Sequence, residues 1–204
     1  MGLTFDSLAA DVDESAHPGE GPVALARRLS LAKAEAAQGA GDGDTVVGCD
    51  TLVILDGCAL GKPSTQDGAV EMLVRLRGRE HKVCSGLTVI DRSSGRRCLQ
   101  TVLTSVYMRD YSDHEIRRYA ASGDPLERAG SYAIQHADFA PVTRLQGCWA
   151  NVVGLPICHL YRVLRTWRVA EPVHPLVCCP RALADGGCTW AEEILAASED
   201  AWEG

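Results

Sequence analysis

The fold is decided at residues 45–55, Thr45-Val46-Val47-Gly48-Cys49-Asp50-Thr51-Leu52-Val53-Ile54-Leu55. This run is rich in β-branched and apolar side chains, which predicts a strand that is buried on both faces. Asp50 interrupts it, although Asp is disfavoured in strands and an unpaired buried carboxylate is costly. We interpret Asp50 as a functional carboxylate. The alternative is a strand-end or edge position with the carboxylate in water.

Helices and further strands are predicted on both sides of this strand. Pro22 suits the first position of a helix over 22–38, and Lys33 lies at the edge of its apolar stripe. That stripe consists of Leu25, Leu29, Ala32 and Ala36. Asp56-Gly57 predicts a hairpin after the Asp50 strand. Turn signals and periodicity then predict a strand at 59–61, a helix at 66–77, strands at 81–91 and 96–109, a helix at 112–122, a strand at 139–145 and a helix from Pro156.

This order contains both crossover-type connections and hairpins. We therefore expect an α/β or α+β domain with a mixed, twisted sheet flanked by helices. The regular pattern ends near residue 165, which predicts a domain over 1–165. Residues 166–204 then form an appendage that contains Cys and Pro and ends in an acidic stretch.

Composition limits the possible functions. The net charge of −7 argues against a broad nucleic-acid surface but still permits a nucleotide substrate. No apolar run approaches the length of a membrane span, and the N-terminal residues lack a signal-peptide pattern. Nine cysteines, mostly placed among apolar residues, fit a reduced, cytosolic protein.

Five polar positions interrupt otherwise regular segments: Glu14, Lys33, Asp50, Lys62 and Gln135. Taken singly, Glu14 fits a solvated loop and Lys33 an exposed helix position. Lys62 fits a Gly-Lys-Pro turn, and Gln135 fits a polar loop. Asp50 followed by a Gly-Lys-Pro turn nevertheless indicates a site that handles a metal ion and phosphate.

With these polar residues in this order along the chain, the sequence resembles the Maf family of nucleoside triphosphate pyrophosphatases. The matching segments span about residues 4–165. They are Asp13-Glu14, Ala32-Lys33-Ala34, Gly48-Cys49-Asp50-Thr51, Gly61-Lys62-Pro63, residues 76–83, Glu115-Ile116 before Tyr119, residues 129–135 and residues 147–156.

The resemblance implies an inosine-triphosphatase-like fold with a central cleft. It also implies hydrolysis of a nucleoside triphosphate to the monophosphate and pyrophosphate with Mg²⁺ or Mn²⁺. Asp50 matches the proton acceptor, and Glu14 would complete a metal site with it. Lys33 and Lys62, with Arg79 as an addition, would neutralise phosphate charge. Family members often form homodimers, so a homodimer is a possible assembly.

The resemblance also suggests a substrate. One Maf branch acts on dTTP and UTP and has Thr after the acid and Gln in the later motif. The branch acting on 7-methyl-GTP has Gln and Glu at those positions. Thr51 and Gln135 therefore favour the pyrimidine branch, and a Gln amide offers the donor and acceptor that a uracil or thymine edge needs.

The chain departs from the family pattern at its start. Family members begin with an apolar strand and a Ser-x-Ser-Pro-Arg-Arg loop, which this sequence lacks. Either the start site is set too late, or the chain is a natural short form with weakened catalysis; we favour the first. The second reading gives an alternative function, a nucleotide-binding or interaction protein on the same fold.

The tail supports a weaker hypothesis. Its Cys and His residues suggest a zinc site, although the adjacent pair of cysteines is poor ligand spacing. The candidate ligands are His174, Cys178, Cys179 and Cys188.

Overall fold

A computed structural model of the chain describes residues 1–39, 41, 43–184 and 187–197. The strands in these ranges are β1 Thr45–Leu55, β2 Cys58–Leu60, β3 Glu80–Asp91, β4 Arg97–Met108 and β5 Val142–Gln146. The helices are α1 Pro22–Ala37, α2 Gln66–Leu76, α3 Asp113–Ala121, α4 Trp149–Val153, α5 Ile157–Trp167, α6 Pro180–Leu183 and α7 Ala191–Ala196.

The strands form one sheet in the order β2-β1-β3-β4-β5, with helices on both faces. The predicted combination of helices with a sheet is confirmed. The expectation of parallel pairs was wrong for the described strands, because all four pairings are antiparallel. The segment between β1 and β3 stays at one end of the sheet, so Lys82 near the start of β3 pairs with Ile54 near the end of β1.

Local sequence signals placed most element ends correctly. Asp56 and Gly57 both have positive φ, as a two-residue hairpin requires. Thr65 caps α2, and Ser112 with Glu115 forms the capping box of α3. The predicted strand at 139–145 begins only at Val142, because Ala140 has a φ of 39° and interrupts extended backbone.

The two faces of the sheet have different covers. Helix α1 packs on one face, which we call the α1 face. The opposite face, which we call the core face, carries the large apolar cluster with α2 and α3 and a second cluster with α5. Phe139, predicted in a strand, is a buried loop residue of the first cluster and stacks on Tyr119 with centroids 4.3 Å apart.

The described tail residues pack against the rest of the chain. The Val173 N–H donates to the Met1 carbonyl at 2.9 Å, and Ile194 packs on the cluster that contains Val102 and Cys148. No three His, Cys, Asp or Glu side chains within the described ranges form a group able to hold a metal ion. The zinc hypothesis for the tail therefore finds no support. None of the described helices is long and apolar enough to cross a membrane.

Candidate active site

Asp50, Lys33 and Glu14 meet on the α1 face. Lys33 Nζ donates to Asp50 Oδ1 at 2.6 Å and to Glu14 Oε1 at 2.7 Å. The Asp50 residue is only 8% exposed, whereas the Glu14 side chain is 63% exposed. The lysine therefore joins a buried carboxylate to one that faces solvent.

Two glycines allow this contact. A Cβ at Gly48 would lie 2.2 Å from the Ser30 carbonyl, and a Cβ at Gly86 would lie 2.1 Å from the Ala26 carbonyl. Only glycine lets the helix backbone come so close to the strands. This close approach puts Lys33 within hydrogen-bonding reach of Asp50.

The same contact corrects the predicted face of α1. The helix buries Leu25 and Leu29 as expected, but Ala32 and Ala36 are not buried. In their place it buries three small residues, Ala26, Ser30 and Ala34. Small side chains are needed there because the glycine surface of the sheet leaves no room for larger ones, and Ser30 Oγ pairs with Thr88 Oγ1 at 2.9 Å.

A second ion pair holds the loop that carries Glu14. Arg28 Nε donates to Glu20 Oε1 at 2.8 Å, and its Nη2 donates to the Ser15 carbonyl at 2.7 Å. The Arg28 side chain lowers the pKa of Glu20 to about 2, together with the His17 N–H. Sequence reasoning missed Arg28 and Glu20, because a partly buried ion pair between residues eight apart has no distinctive pattern.

The electrostatics favour a charged lysine and a neutral thiol. Burial lowers the pKa of Lys33, but the hydrogen bonds and charges of Asp50 and Glu14 outweigh it, so the pKa is raised overall. Burial raises the pKa of Cys49 to about 12, and its thiol donates to the Gly154 carbonyl at 3.2 Å. Cys49 is therefore protonated at neutral pH and unsuited to nucleophilic attack.

Asp50 has one oxygen left for a ligand. Its Oδ2 is buried and has no hydrogen-bond partner among the described residues. A buried carboxylate oxygen without a partner is energetically unfavourable unless a cation, water or substrate completes it. Asp50 and the neighbouring Glu14 offer the hard oxygen ligands that Mg²⁺ or Mn²⁺ prefers.

Lys62 and Gln135 belong to a second group beside β1. Strand β2 pairs with β1 only over Val53–Leu55, and the chain then leaves Leu60 in the direction of Lys62. The Gly61 carbonyl accepts the Gly130 N–H at 3.1 Å, which ties the Lys62 turn to the segment that leads to Gln135.

Both side chains of this group face solvent. Gln135 is exposed, and Lys62 is 63% exposed with Glu127 at 3.7 Å. No hydrogen bond joins either side chain to Asp50 in the described chain, so they stand apart from the Lys33 cluster.

Arg79 lies away from the Lys33 cluster. Its Nη2 donates to Asp56 Oδ1 at 2.6 Å, just beyond the end of β1. Six residues separate Asp56 from Asp50, a distance of about 20 Å along an extended strand. The structure therefore does not bring Arg79 to the buried carboxylate.

Thr51 faces the other side of the sheet from Asp50, as alternation along a strand requires. Its Oγ1 lies 2.7 Å from Ser85 Oγ and 3.3 Å from the Gly154 carbonyl. Buried Asn151 supports the same region, since its Nδ2 donates to the Val83 and Val102 carbonyls at 3.1 Å. Sequence reasoning did not single out Ser85 or Asn151 individually; a polar residue within a predicted buried strand was the available signal for Ser85.

Comparisons with known proteins identify the family of this chain. A family model described as Maf-like protein matches residues 1–167. The chain is 39% identical over 165 residues to a dTTP/UTP pyrophosphatase of Pelotomaculum thermopropionicum, covering 81% of this chain and 86% of that protein. It is 40% identical over 164 residues to one of Geobacter sulfurreducens, covering 80% and 86%. For one of Alkaliphilus metalliredigens the identity is 40% over 163 residues, covering 79% and 84%. The chain therefore belongs to the Maf family.

Proposed function

We propose that this protein is a nucleoside triphosphate pyrophosphatase that hydrolyses dTTP and UTP to the monophosphate and pyrophosphate. The observation that carries the proposal is the buried Asp50 carboxylate, with one oxygen on Lys33 and the other without a hydrogen-bond partner among the described residues. The names of the similar proteins, dTTP/UTP pyrophosphatases, support the same reaction.

Each member of the cluster has a distinct role in this proposal. Lys33 holds the Asp50 carboxylate in place and presents positive charge next to it, which stabilises negative charge that develops on the phosphates. Asp50 Oδ2 has no competing partner in the part of the chain that the structure describes, so it accepts a proton from the attacking water or binds the cation. Glu14, held at the solvent side by Lys33, contributes a second carboxylate.

A divalent cation fits the donors that the chain offers. When bound, Mg²⁺ or Mn²⁺ polarises the phosphate oxygens and offsets their charge. Asp50 and Glu14 would hold it, and Mg²⁺ commonly binds one or two carboxylates with water and substrate phosphates completing its shell.

Three of the remaining predicted residues have positioning roles. Lys62 is exposed beside β1 and forms an ion pair with Glu127 at 3.7 Å. Such an exposed pair is weak, so Lys62 can exchange it for a phosphate. Gln135 supplies the amide that recognises the edge of the base. Thr51 holds β1 against β3 on the opposite face of the sheet, through its hydrogen bond with Ser85. We assign Arg79 no role in hydrolysis, because it is paired with Asp56, about 20 Å along the strand from Asp50. We propose that residues 1–165 form the catalytic domain and that the remaining tail is an appendage.

Pyrophosphate release tests the proposal directly. Purified protein is incubated with dTTP, UTP or 7-methyl-GTP and with Mg²⁺ or Mn²⁺, and pyrophosphate is measured. We expect release from the two pyrimidine triphosphates and a loss of about 100-fold or more in Asp50→Asn, as for removal of a general base. Asp67→Asn, which removes an exposed acid in the first turn of α2, is the matched control.

Two results would overturn the proposal. Full activity in Asp50→Asn would remove the assigned carboxylate from the reaction. Saturable binding of dTTP without any pyrophosphate would leave a nucleotide-binding protein on the same fold.

A further inference from the structure

A cavity of about 590 Å³ lies on a different part of the molecule from the Lys33 cluster. Strand β5 pairs with β4 only over Ser105–Met108, so the edge of β4 from Gln100 to Thr104 has no further strand beside it in the described chain. Helices α5 and α7 cover this edge and complete the cavity. Strands β3 and β4 separate it from β1, a spacing of about 10 Å at the level of Asp50.

Gln100 and His159 each present a buried polar atom to this cavity that has no hydrogen-bond partner among the described residues. Gln100 is 5% exposed, and its Oε1 makes no hydrogen bond in the described structure, although its Nε2 touches Cys98 Sγ at 3.5 Å. His159 Nδ1 is buried and equally unsatisfied. Native proteins satisfy nearly all such groups, so a polar ligand that enters this cavity would gain by completing both.

The inner wall of the cavity combines a neutral imidazole, that of His159, with the guanidinium of Arg162. Burial lowers the pKa of His159 to about 4, so its imidazole is uncharged at neutral pH. Arg162 is engaged already, since its Nη1 donates to the Ile194 carbonyl at 2.6 Å and thereby joins α5 to α7. The other charged lining residues are Lys82 and Glu193, which carry opposite signs.

The shape and lining select the class of ligand. Trp190 offers an aromatic surface, and Val102 and Ile194 offer apolar ones. Gln100 Oε1 can only accept a hydrogen bond, so a ligand must bring an N–H or O–H donor to it. Cavities of about 300–1,000 Å³ with few polar groups are typical of small-molecule sites.

We propose that this cavity binds an uncharged, nucleoside-sized heterocycle, with a ring N–H directed at Gln100 Oε1 and a polar atom of the ring at His159 Nδ1. A pyrimidine nucleoside has this size, an N–H donor and a planar ring that can stack on Trp190. A triphosphate is disfavoured, because neither Gln100 Oε1 nor the uncharged His159 ring supplies positive charge for its phosphates. The site is independent of the proposed hydrolysis.

Binding of thymidine and uridine to the full chain tests this site. Calorimetry or ligand-observed NMR should detect saturable binding in the wild type, with a Kd at least tenfold higher in Gln100→Leu and in His159→Phe. Gln66→Leu makes the same chemical change at an exposed position of α2 and should bind as the wild type does. Circular dichroism and thermal unfolding establish which variants are folded. Because there are two cavity variants, the test remains valid if one of them does not fold.

A further variant separates this cavity from the proposed active site. Lys33→Ala disrupts the Asp50 cluster and should leave nucleoside binding unchanged. Loss of binding in Lys33→Ala together with normal binding in Gln100→Leu would put the nucleoside at the Asp50 cluster and overturn the proposal. Absence of saturable binding by the wild type up to millimolar nucleoside would also overturn it, leaving the cavity to water alone.

Discussion

Asp50 and Thr51 are neighbours in β1, yet they face opposite environments. On the α1 face, Asp50 meets charged groups, Lys33 and through it Glu14. On the core face, Thr51 meets neutral ones, Ser85 and the Gly154 carbonyl. The difference shows how one strand can hold a charged site on one side and a neutral polar network on the other.

The two faces also satisfy their polar groups differently. The α1 face combines a close backbone approach with an ion pair that reaches solvent through Glu14. The core face buries uncharged groups such as Asn151 and His81, which bond to other protein groups through Nδ2 and Nε2. Their other polar atoms, Asn151 Oδ1 and His81 Nδ1, have no hydrogen-bond partner among the described residues. We therefore expect the two faces to respond differently to added volume and to pH.

The largest expected effect comes from closing the gap between α1 and the sheet. In Gly86→Ala the new Cβ would lie 2.1 Å from the Ala26 carbonyl, so α1 must move. We expect a loss of about 3 kcal/mol or more in the free energy of unfolding, measured with urea, together with loss of pyrophosphatase activity.

The control for this change is Gly43→Ala. A Cβ there would meet nothing within 4 Å, so stability should stay near that of the wild type. Equal stability of the two variants would show that the close approach of α1 does not constrain the site.

Acid should destabilise the core face. Burial lowers the pKa of His81 from 6.5 to about 4, outweighing the opposing effect of Glu80. The folded state favours the neutral His81 ring, whereas the unfolded state takes up a proton near pH 6.5. The contribution of His81 to the free energy of unfolding is therefore full above pH 6.5 and is lost as the pH falls from that value towards 4. The expected loss for this residue is about 3 kcal/mol, measured from urea unfolding across that range.

His81→Gln separates this effect from other acid-sensitive groups. Its amide can still pair with Tyr132, which lies 2.7 Å from His81 Nε2, but it does not titrate. The variant should lose less stability than the wild type between pH 6.5 and 4. Identical pH curves would contradict the assignment.

Alkali should act on the α1 face, with a smaller effect. The pKa of Lys33 is raised above 10.5, so the stability from its charged form is full below that pH and is lost as the pH rises through the folded-state value. Because Lys33 is partly exposed, we expect on the order of 1 kcal/mol. Lys33→Met should show a flatter stability profile between pH 9 and about 12. A profile parallel to the wild type would mean that the ion pair contributes little.

The sequence predicted the elements well where local physics decides them. Hairpin residues Asp56-Gly57 and the caps at Thr65 and Ser112 depend on a few neighbours, and each formed as expected. The parallel pairs and the strand start at residue 139 were wrong, because both depend on the path of the chain in space.

The candidate site was predictable in part for the same reason. Asp50 is conspicuous because it breaks an apolar strand, and the structure brings Lys33 and Glu14 to it. The separation of Arg79 from this cluster by its pairing with Asp56 is a tertiary fact. The roles of Arg28 and Glu20 in holding the Glu14 loop also depend on the tertiary structure.

By itself, the sequence determined the elements, the buried acid and the resemblance to a family, because these depend on residue type and spacing along the chain. The tertiary structure decided which face each side chain occupies. Alternation along β1 sends Asp50 and Thr51 apart, and Gly48 and Gly86 admit α1 close enough for Lys33 to reach the acid. It also decided that Gln100 and His159, far apart in the chain, line one cavity.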